Sequence, residues 1–382
     1  MLLKEVNKYL EKHGLILREG SSPIFFVLEL GQEMKMIRCS LNSILINGFF
    51  FVFAFAWVLY FSGFRDFGAG NDTINYVFAF SQINGPLDAY QTGMSYYGSK
   101  EFLFWFLAGV VKVIFGDNPR IWLLINCAIS FIGSAIVYLK LSKELGWKYW
   151  ALLLVLLYFT YQLVFISSYM RQMIAVPFLY LSLHHAYNKN PASAAFFFFM
   201  SFSFHYSAIL FFPLIFIFLF DFVFLFNKIY AVFAILFGGI FLQLIDFMYP
   251  LLSGFGITDK VDLYISQGYQ AAMEGRSAVS SLNLVFSAIS LICALFFLDK
   301  ESFIYKVCFY ILALFFVFFD FPIILVRLLP YLFILIPFLY LMVVSKFVRS
   351  ISLRILMGFF LFSLVLVIMM MSYSAKYTLG LL

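Results

Sequence analysis

Apolar runs of helical length follow one another along this chain, separated by short polar links. They predict helices near 42–63, 101–116, 120–139, 149–167, 172–187, 229–249, 281–298, 303–319, 323–344 and 355–371, with one longer run at 193–220. At 1.5 Å per residue, most of these reach across a hydrocarbon layer of ~30 Å. The predicted fold class is an all-α polytopic membrane protein with about ten or eleven transmembrane helices. Two stretches interrupt the pattern by being long and polar, 64–100 and 250–280. No internal repeat is visible, so an inverted-repeat transporter gets no support.

Composition strengthens this reading. Hydrophobic residues make up 64% of the chain and charged residues 12%, against about 45–50% and about 25% in soluble domains. The 55 Phe and 24 Tyr suit lipid-facing surfaces and interface belts. A net charge of +6 implies no nucleic-acid partner, because the basic residues sit in short links between apolar runs. Cys39, Cys127, Cys293 and Cys308 are too scattered for a metal site or a disulfide framework. The N-terminal tail lacks the apolar core of a signal peptide.

Orientation follows from the basic links, since Lys and Arg favour the cytoplasmic side. Lys4, Lys8, Lys12, Arg18, Lys35 and Arg38 precede the first strong run; Lys140, Lys143 and Lys148 form a second basic group, and Lys346, Arg349 and Arg354 a third. All three face inward only when an even number of crossings separates them. That holds if 101–116 is a re-entrant or surface helix, as its short length and Lys112 favour, and if 193–220 reverses at His205. The predicted organisation is then a cytoplasmic or interfacial tail, 1–41, and one membrane domain, 42–382. Met34 and Met36 are alternative starts within the tail. The long loops 64–119 and 250–280 fall on the outer side.

Polar residues near membrane depth need a reason. Arg65, Asp66, Asp72 and Tyr76 lie just past the first helix, in FRDFGAGNDTINY; the plain alternative is a solvated loop start. Glu101 heads the run EFLFWFLAGVV, where a carboxylate also suits a helix N-terminus. Arg171 lies between two apolar segments, where it binds an anion or snorkels to the interface. His205 stands alone in SFSFHYSAILFF, as a functional group or as helix glue. Arg327 lies inside an apolar run and needs an anionic partner, either a ligand or Asp320 or Asp246. Lys260, Asp262, Tyr264 and Arg276 belong to the second polar loop, as ligand contacts or solvated residues. His184 and His185 fall near a cytoplasmic helix end and read as structural.

Arginines suit a phosphate or pyrophosphate through bidentate hydrogen bonds. Carboxylates or a histidine suit proton removal from a hydroxyl. The chain has no Walker-type loop, no HExxH and no clustered carboxylate motif. This chemistry fits metal-independent, cofactor-free transfer from a lipid-linked phosphate donor.

The ordered motifs resemble the EpsG/Wzy family of bacterial polysaccharide polymerases. They are R-x-x-G-x-x-x-D-x-x-x-Y at Arg65–Tyr76, Glu101-Phe102 opening an apolar run, Arg171-Gln172 with Ala175, and Phe204-His205-Tyr206-Ser207. The resemblance implies a GT-C-like glycosyltransferase of the cytoplasmic membrane, with surface helices in the outer loop after the first span. It implies a site facing the periplasm or cell exterior. Donor and acceptor would be oligosaccharide repeat units on undecaprenyl pyrophosphate, and a chain-length regulator is an implied partner. In that mechanism an acceptor hydroxyl displaces undecaprenyl pyrophosphate directly, with inversion. Arg171 and Arg327, helped by Arg65, neutralise the leaving group; Asp72 is the first choice of base, with His205 and Glu101 in reserve. Tyr76, Lys260, Tyr264 and Arg276 would contact glycan. A glycan ligase, a GT-C enzyme using a single lipid-linked sugar, a lipid-linked glycan transporter and a membrane scaffold are the competing readings.

The topology has a direct test. In a variant lacking native cysteines, single cysteines at Ser95 and Ser266 should react with an impermeant thiol reagent added outside, and one at Lys143 should not. Labelling at 143 from outside would overturn the non-spanning assignment of 101–116.

Overall fold

A computed structural model describes residues 48–49, 51–67, 73–97, 101–144, 166–167, 169–222, 291, 298–318, 322–336 and 339. The chain divides into a short unit, Met1–Phe50, and a main unit, Phe51–Leu382. All elements below belong to the second. Among the described residues every regular element is helical. The predicted helices 229–249 and 355–371, and nearly all of 149–167 and 281–298, lie outside them.

Helix α1, Phe51–Gly63, closes with a widened turn in which the Phe64 amide donates to Leu59 O at 3.0 Å. The first polar loop is not featureless. It carries α2, Thr73–Gln82, and α3, Pro86–Tyr97. At the start of α3, Pro86 supplies a fixed φ, while Asp88 accepts from the Gly85 amide at 2.8 Å and the Asn84 amide at 3.1 Å. Slight burial works against the charged form of Asp88, but these bonds prevail and hold the carboxyl below its usual range.

Helix α4, Phe102–Phe115, ends at Gly116, whose φ of +77° is a left-handed geometry natural to glycine. Its 14 residues rise only ~21 Å, short of a full crossing. Lys112, on α4, donates to the carbonyls of Phe80 and Ser81 and so caps the end of α2. Helix α5, Pro119–Glu144, contains the one segment among the described residues long and apolar enough to span a membrane, Pro119–Leu141. Its exposed Ile132, Ile136 and Leu139 recur at helical spacing and form a lipid-suited stripe. At its other face Gly133 meets the ring of Pro177.

Helices α6, Met170–Tyr187, and α7, Pro191–Phe204, form the most extensive helix pair among the described residues, joined by a turn with Lys189 at φ +58°. Asn190 caps α7 by accepting from the Ser193 amide, with Pro191 next to it. The predicted run 193–220 is broken at His205. A 3₁₀ turn, Tyr206–Phe211, follows and leads into α8, Phe212–Leu219. Lys189 reaches both Phe218 O and Asp221 at the far end, so the chain leaves the Lys189 level, turns at His205 and returns. Helices α9, Phe303–Val317, and α10, Pro322–Phe333, complete the described part. Pro330 interrupts the hydrogen-bond ladder of α10. Side chains from α5 and α6 take up carbonyls along this segment: Gln172 bonds Arg327 O, Tyr180 bonds Tyr331 O at 2.6 Å and Tyr138 bonds Ile334 O at 2.6 Å.

Beneath α2 and α3 lies an aromatic core of Tyr76, Phe80, Phe104, Trp105 and Trp122, joined by Met170, Ile174 and Phe204 from α6 and α7. Gly109 lets α4 press against the loop helices. A methyl group there would lie 2.5 Å from Pro86 Cα, a backbone atom that has no rotamer to escape into. Gly109→Ala should therefore destabilise the protein by about 1–3 kcal/mol through overpacking. Gly85→Ala, whose new methyl group meets only Val113 at 3.9 Å, should be near neutral. Thermal stability in detergent checks both.

Candidate functional site

Four polar side chains that are far apart in sequence converge where α2, α4 and α6 meet the reversal at His205. Glu101 occupies the residue before α4, yet its side chain makes no cap bond to that helix. The carboxylate thus stands at a helix N-terminus, as expected, without capping it. Instead Glu101 Oε2 accepts from Arg171 Nη1 at 2.6 Å, with the Glu101 side chain fully buried. Arg171 Nε donates to the Tyr76 hydroxyl at 2.9 Å, and its guanidinium lies 5.6 Å from the Tyr76 ring centre. On the other side, His205 Nδ1 is 3.5 Å from Glu101 Oε1.

Local structure explains the positions. Arg171 stands in the first turn of α6, where the helix dipole disfavours a cation. The Glu101 carboxylate offsets both the dipole and the burial. His205 lies at the break between α7 and the 3₁₀ turn with extended backbone, φ −157° and ψ 117°. Its Nδ1 also accepts from the Ser207 amide at 3.3 Å. These two neighbours ask opposite things of one nitrogen. The Ser207 amide needs a lone pair, whereas the Glu101 carboxylate favours a proton.

Arg65 is buried, not a solvated loop start. Its guanidinium donates to Ser62 O, to Ser167 O at 2.9 Å, and to Thr73 Oγ1 from Nε at 3.2 Å and Nη2 at 3.0 Å. This ties the end of α1 to the start of α2 and to the segment ahead of α6. Arg120, which the sequence reading passed over, bonds the carbonyls of Gly63 and Arg65 and stacks on Phe67 at 4.2 Å. Arg327 lies with its guanidinium 5.4 Å from the ring centre of Tyr169, two residues before Arg171. Its backbone carbonyl accepts from Gln172 Nε2. The suggested pairing of Arg327 with Asp320 or Asp246 falls outside the described residues, as do Asp72, Lys260, Asp262, Tyr264 and Arg276. His184 and His185 pack at the other end of α6, against Phe303 and Phe197, consistent with a structural role.

Ser207 and Tyr331 join the cluster through a 2.7 Å bond between their hydroxyls. Tyr331 went unnoticed in sequence, although it stands four residues after Arg327, one helical turn away on the same face. Among the described residues no three His, Cys, Asp or Glu side chains group as metal ligands.

Fold and site together define a helical membrane protein with a buried carboxylate–guanidinium–imidazole cluster beside the helices of its first long loop. The profile of the EpsG family matches residues 48–381, and the chain belongs to that family. Membership places it among membrane proteins of polysaccharide-polymerase type. No curated protein and no solved structure shows significant similarity to the chain.

Glu101→Gln leaves the Arg171 guanidinium buried against a neutral amide. Loss of one partner from such a pair should cost about 3–5 kcal/mol, visible as lower protein yield and lower thermal stability in detergent. The double variant Glu101→Gln/Arg171→Gln removes both charges and should regain much of that stability.

Proposed function

We propose that the chain joins oligosaccharide repeat units carried on undecaprenyl pyrophosphate, at the outer face of the cytoplasmic membrane, by metal-independent glycosyl transfer. The observation that carries this reading is the buried Glu101–Arg171–His205 cluster next to a loop that forms helices, in a member of the EpsG family.

The acceptor hydroxyl oxygen forms a bond to the anomeric carbon of the donor sugar. The bond from that carbon to the pyrophosphate oxygen breaks, and its electron pair leaves on the pyrophosphate. The hydroxyl proton passes to a base, Asp72 or His205. Glu101 suits that role least, because its carboxylate is already engaged by the Arg171 guanidinium at 2.6 Å. Arg171, paired with Glu101, and Arg327 neutralise the leaving group, with the peptide framework around Arg327 held by Gln172. Arg65 supports the site from beneath, tying the polypeptide on either side of Asp72 to the segment ahead of α6. Tyr76, buried in the aromatic core, acts through its hydrogen bond to Arg171 instead of on the glycan, and the loop residues Lys260, Tyr264 and Arg276 supply glycan contacts. A chain-length regulator is the expected protein partner.

Deleting the gene should cause single lipid-linked repeat units to accumulate, and the purified protein in liposomes should convert them to a ladder of longer chains. Turnover should persist in EDTA; activity lost on chelation and regained with Mg²⁺ or Mn²⁺ would contradict the metal-independent mechanism. Arg327→Lys keeps the charge but loses the planar two-point donor. It should lower polymer formation about 100-fold at normal protein levels, with Arg327→Gln worse. Full-length polymer from Arg327→Gln at wild-type protein levels would remove Arg327 from the site.

A further inference from the structure

We propose that Lys140, held in place by His185, forms a binding site for the phosphate group of an anionic phospholipid, at the end of α6 opposite Arg171. The site goes beyond the glycosyl-transfer reading and does not rest on it. From Arg171 to His185 the helix rises ~21 Å, so the two ends of α6 meet different surroundings.

Lys140 stands one turn before the end of α5, and His185 lies in the last turn of α6. Lys140 Nζ is 3.3 Å from His185 Nε2. An ammonium can only donate, so the imidazole accepts at Nε2 and carries its own proton on Nδ1. The ring is fixed in turn by stacking on Phe197, at 5.4 Å between centres and 12° between planes. A lysine that merely snorkels extends its ammonium into water. This one is half-buried and turned against an imidazole.

The charge of Lys140 is unmatched. Among the described residues neither it nor His185 meets a carboxylate, and the charged neighbours of His185 are Lys140 and His184, both basic. Other cations at this end are paired, Lys189 with Asp221 at 2.9 Å and Lys306 with Glu301 at 3.3 Å. Capping of α6 does not need the pair either. The carbonyls of His184, His185 and Ala186 already accept from the amides of Asn188, Asn190 and Lys189. Two N–H groups of Lys140 therefore remain to donate, and phosphate oxygens take such charge-assisted bonds well.

Position selects a lipid as the source of that phosphate. Lys140 is the last residue but one of the membrane-length segment Pro119–Leu141, which puts it at headgroup depth. The exposed Ile132, Ile136 and Leu139 lead along α5 toward it. Before its final residue, α6 comes partly to the surface only at Phe178 and His185, two turns apart on one face. That face lies between α5 and α7. Phe204 and Phe197 of α7 stack on Phe178 and His185, while Gly133 and Lys140 of α5 meet Pro177 and His185. The furrow so formed gives an acyl chain apolar walls and ends at a fixed ammonium.

The test titrates purified full-length protein in neutral detergent with dioleoylphosphatidylglycerol and follows thermal stability, with dioleoylphosphatidylcholine and inorganic phosphate run in parallel. Phosphatidylglycerol should raise the midpoint saturably, and native mass spectrometry should show a single such lipid retained. Lys140→Gln should weaken this binding about fivefold, the effect of one basic group at a membrane surface. Lys140→Arg should restore most of it, and His185→Phe, which keeps a ring on Phe197 but removes the acceptor, should weaken it in the same direction. Lys300→Gln removes an exposed charge of the same sign beside the start of α9 and should leave binding unchanged. An equal response to phosphatidylcholine would reduce the furrow to ordinary lipid contact and overturn the proposal. An equal response to inorganic phosphate would make the ligand a free anion and overturn the lipid assignment. Equal weakening by Lys300→Gln would show diffuse attraction and overturn the site. If Lys140→Gln fails to fold, the comparison of the three ligands on wild-type protein still decides. None of these readouts depends on polymer formation, so they stand or fall apart from the catalytic reading.

Discussion

The ion pair between Glu101 and Arg171 is the constraint on which the surrounding architecture depends. Neither charge is tolerable alone at such burial, and their separation of 2.6 Å is what makes each acceptable. Glu101 belongs to the start of α4 and Arg171 to the start of α6, so one bond fixes two helix ends across 70 residues of chain. Tyr76 joins from α2 and brings the loop helices with it. Removal of one charge therefore disturbs the docking of three elements at once, whereas replacing both with neutral groups spares the interior an unpaired ion.

A second constraint is the reversal at His205. Phenylalanine-rich helices on either side carry exposed Phe196, Phe199 and Phe202 on α7, and Phe212 and Phe216 on α8 with Phe220 just past its end. Such a surface is at home in lipid, but a 14-residue α7 is too short to cross it alone. Breaking the run solves this by turning the chain back inside the protein. The freed backbone at the break is satisfied locally, through the His205 amide to Ser201 O and the Ala208 amide to His205 O. The same break puts an imidazole beside Glu101, so a feature needed for burial of backbone also completes the polar cluster.

Much of this was legible in sequence because the bilayer imposes a strong pattern. Helix positions followed from apolar length, and the reversal at His205 from the parity of basic links. Tyr76, Glu101, Arg171 and His205 stood out as polar residues with no reason to be where they were. What remained hidden was partnership. Glu101 and Arg171 are separated by a whole helix and more, and no local periodicity joins them. Arg65 read as a loop residue because the sequence cannot show that Ser62, Thr73 and Ser167 supply its acceptors. Tyr331 was invisible among 24 tyrosines, since its distinction lies in one hydroxyl contact with Ser207. The helices in the first polar loop were missed by hydropathy for a related reason. They are amphiphilic and short, and they are held by Asp88, Lys112 and Gly109 more than by apolar content.

The arrangement also divides charge in a way that bears on the proposed reaction. A guanidinium already matched by a carboxylate presents little net charge to an incoming diphosphate, so Arg171 acts chiefly through shape and orientation. Arg65 is committed still further, with four of its N–H groups directed at carbonyl and hydroxyl oxygens. Arg327 is half-buried, with its guanidinium 5.4 Å from the ring centre of Tyr169. An aromatic face compensates a cation only in part, and in the proposed reaction this guanidinium meets the pyrophosphate as the leaving group acquires charge.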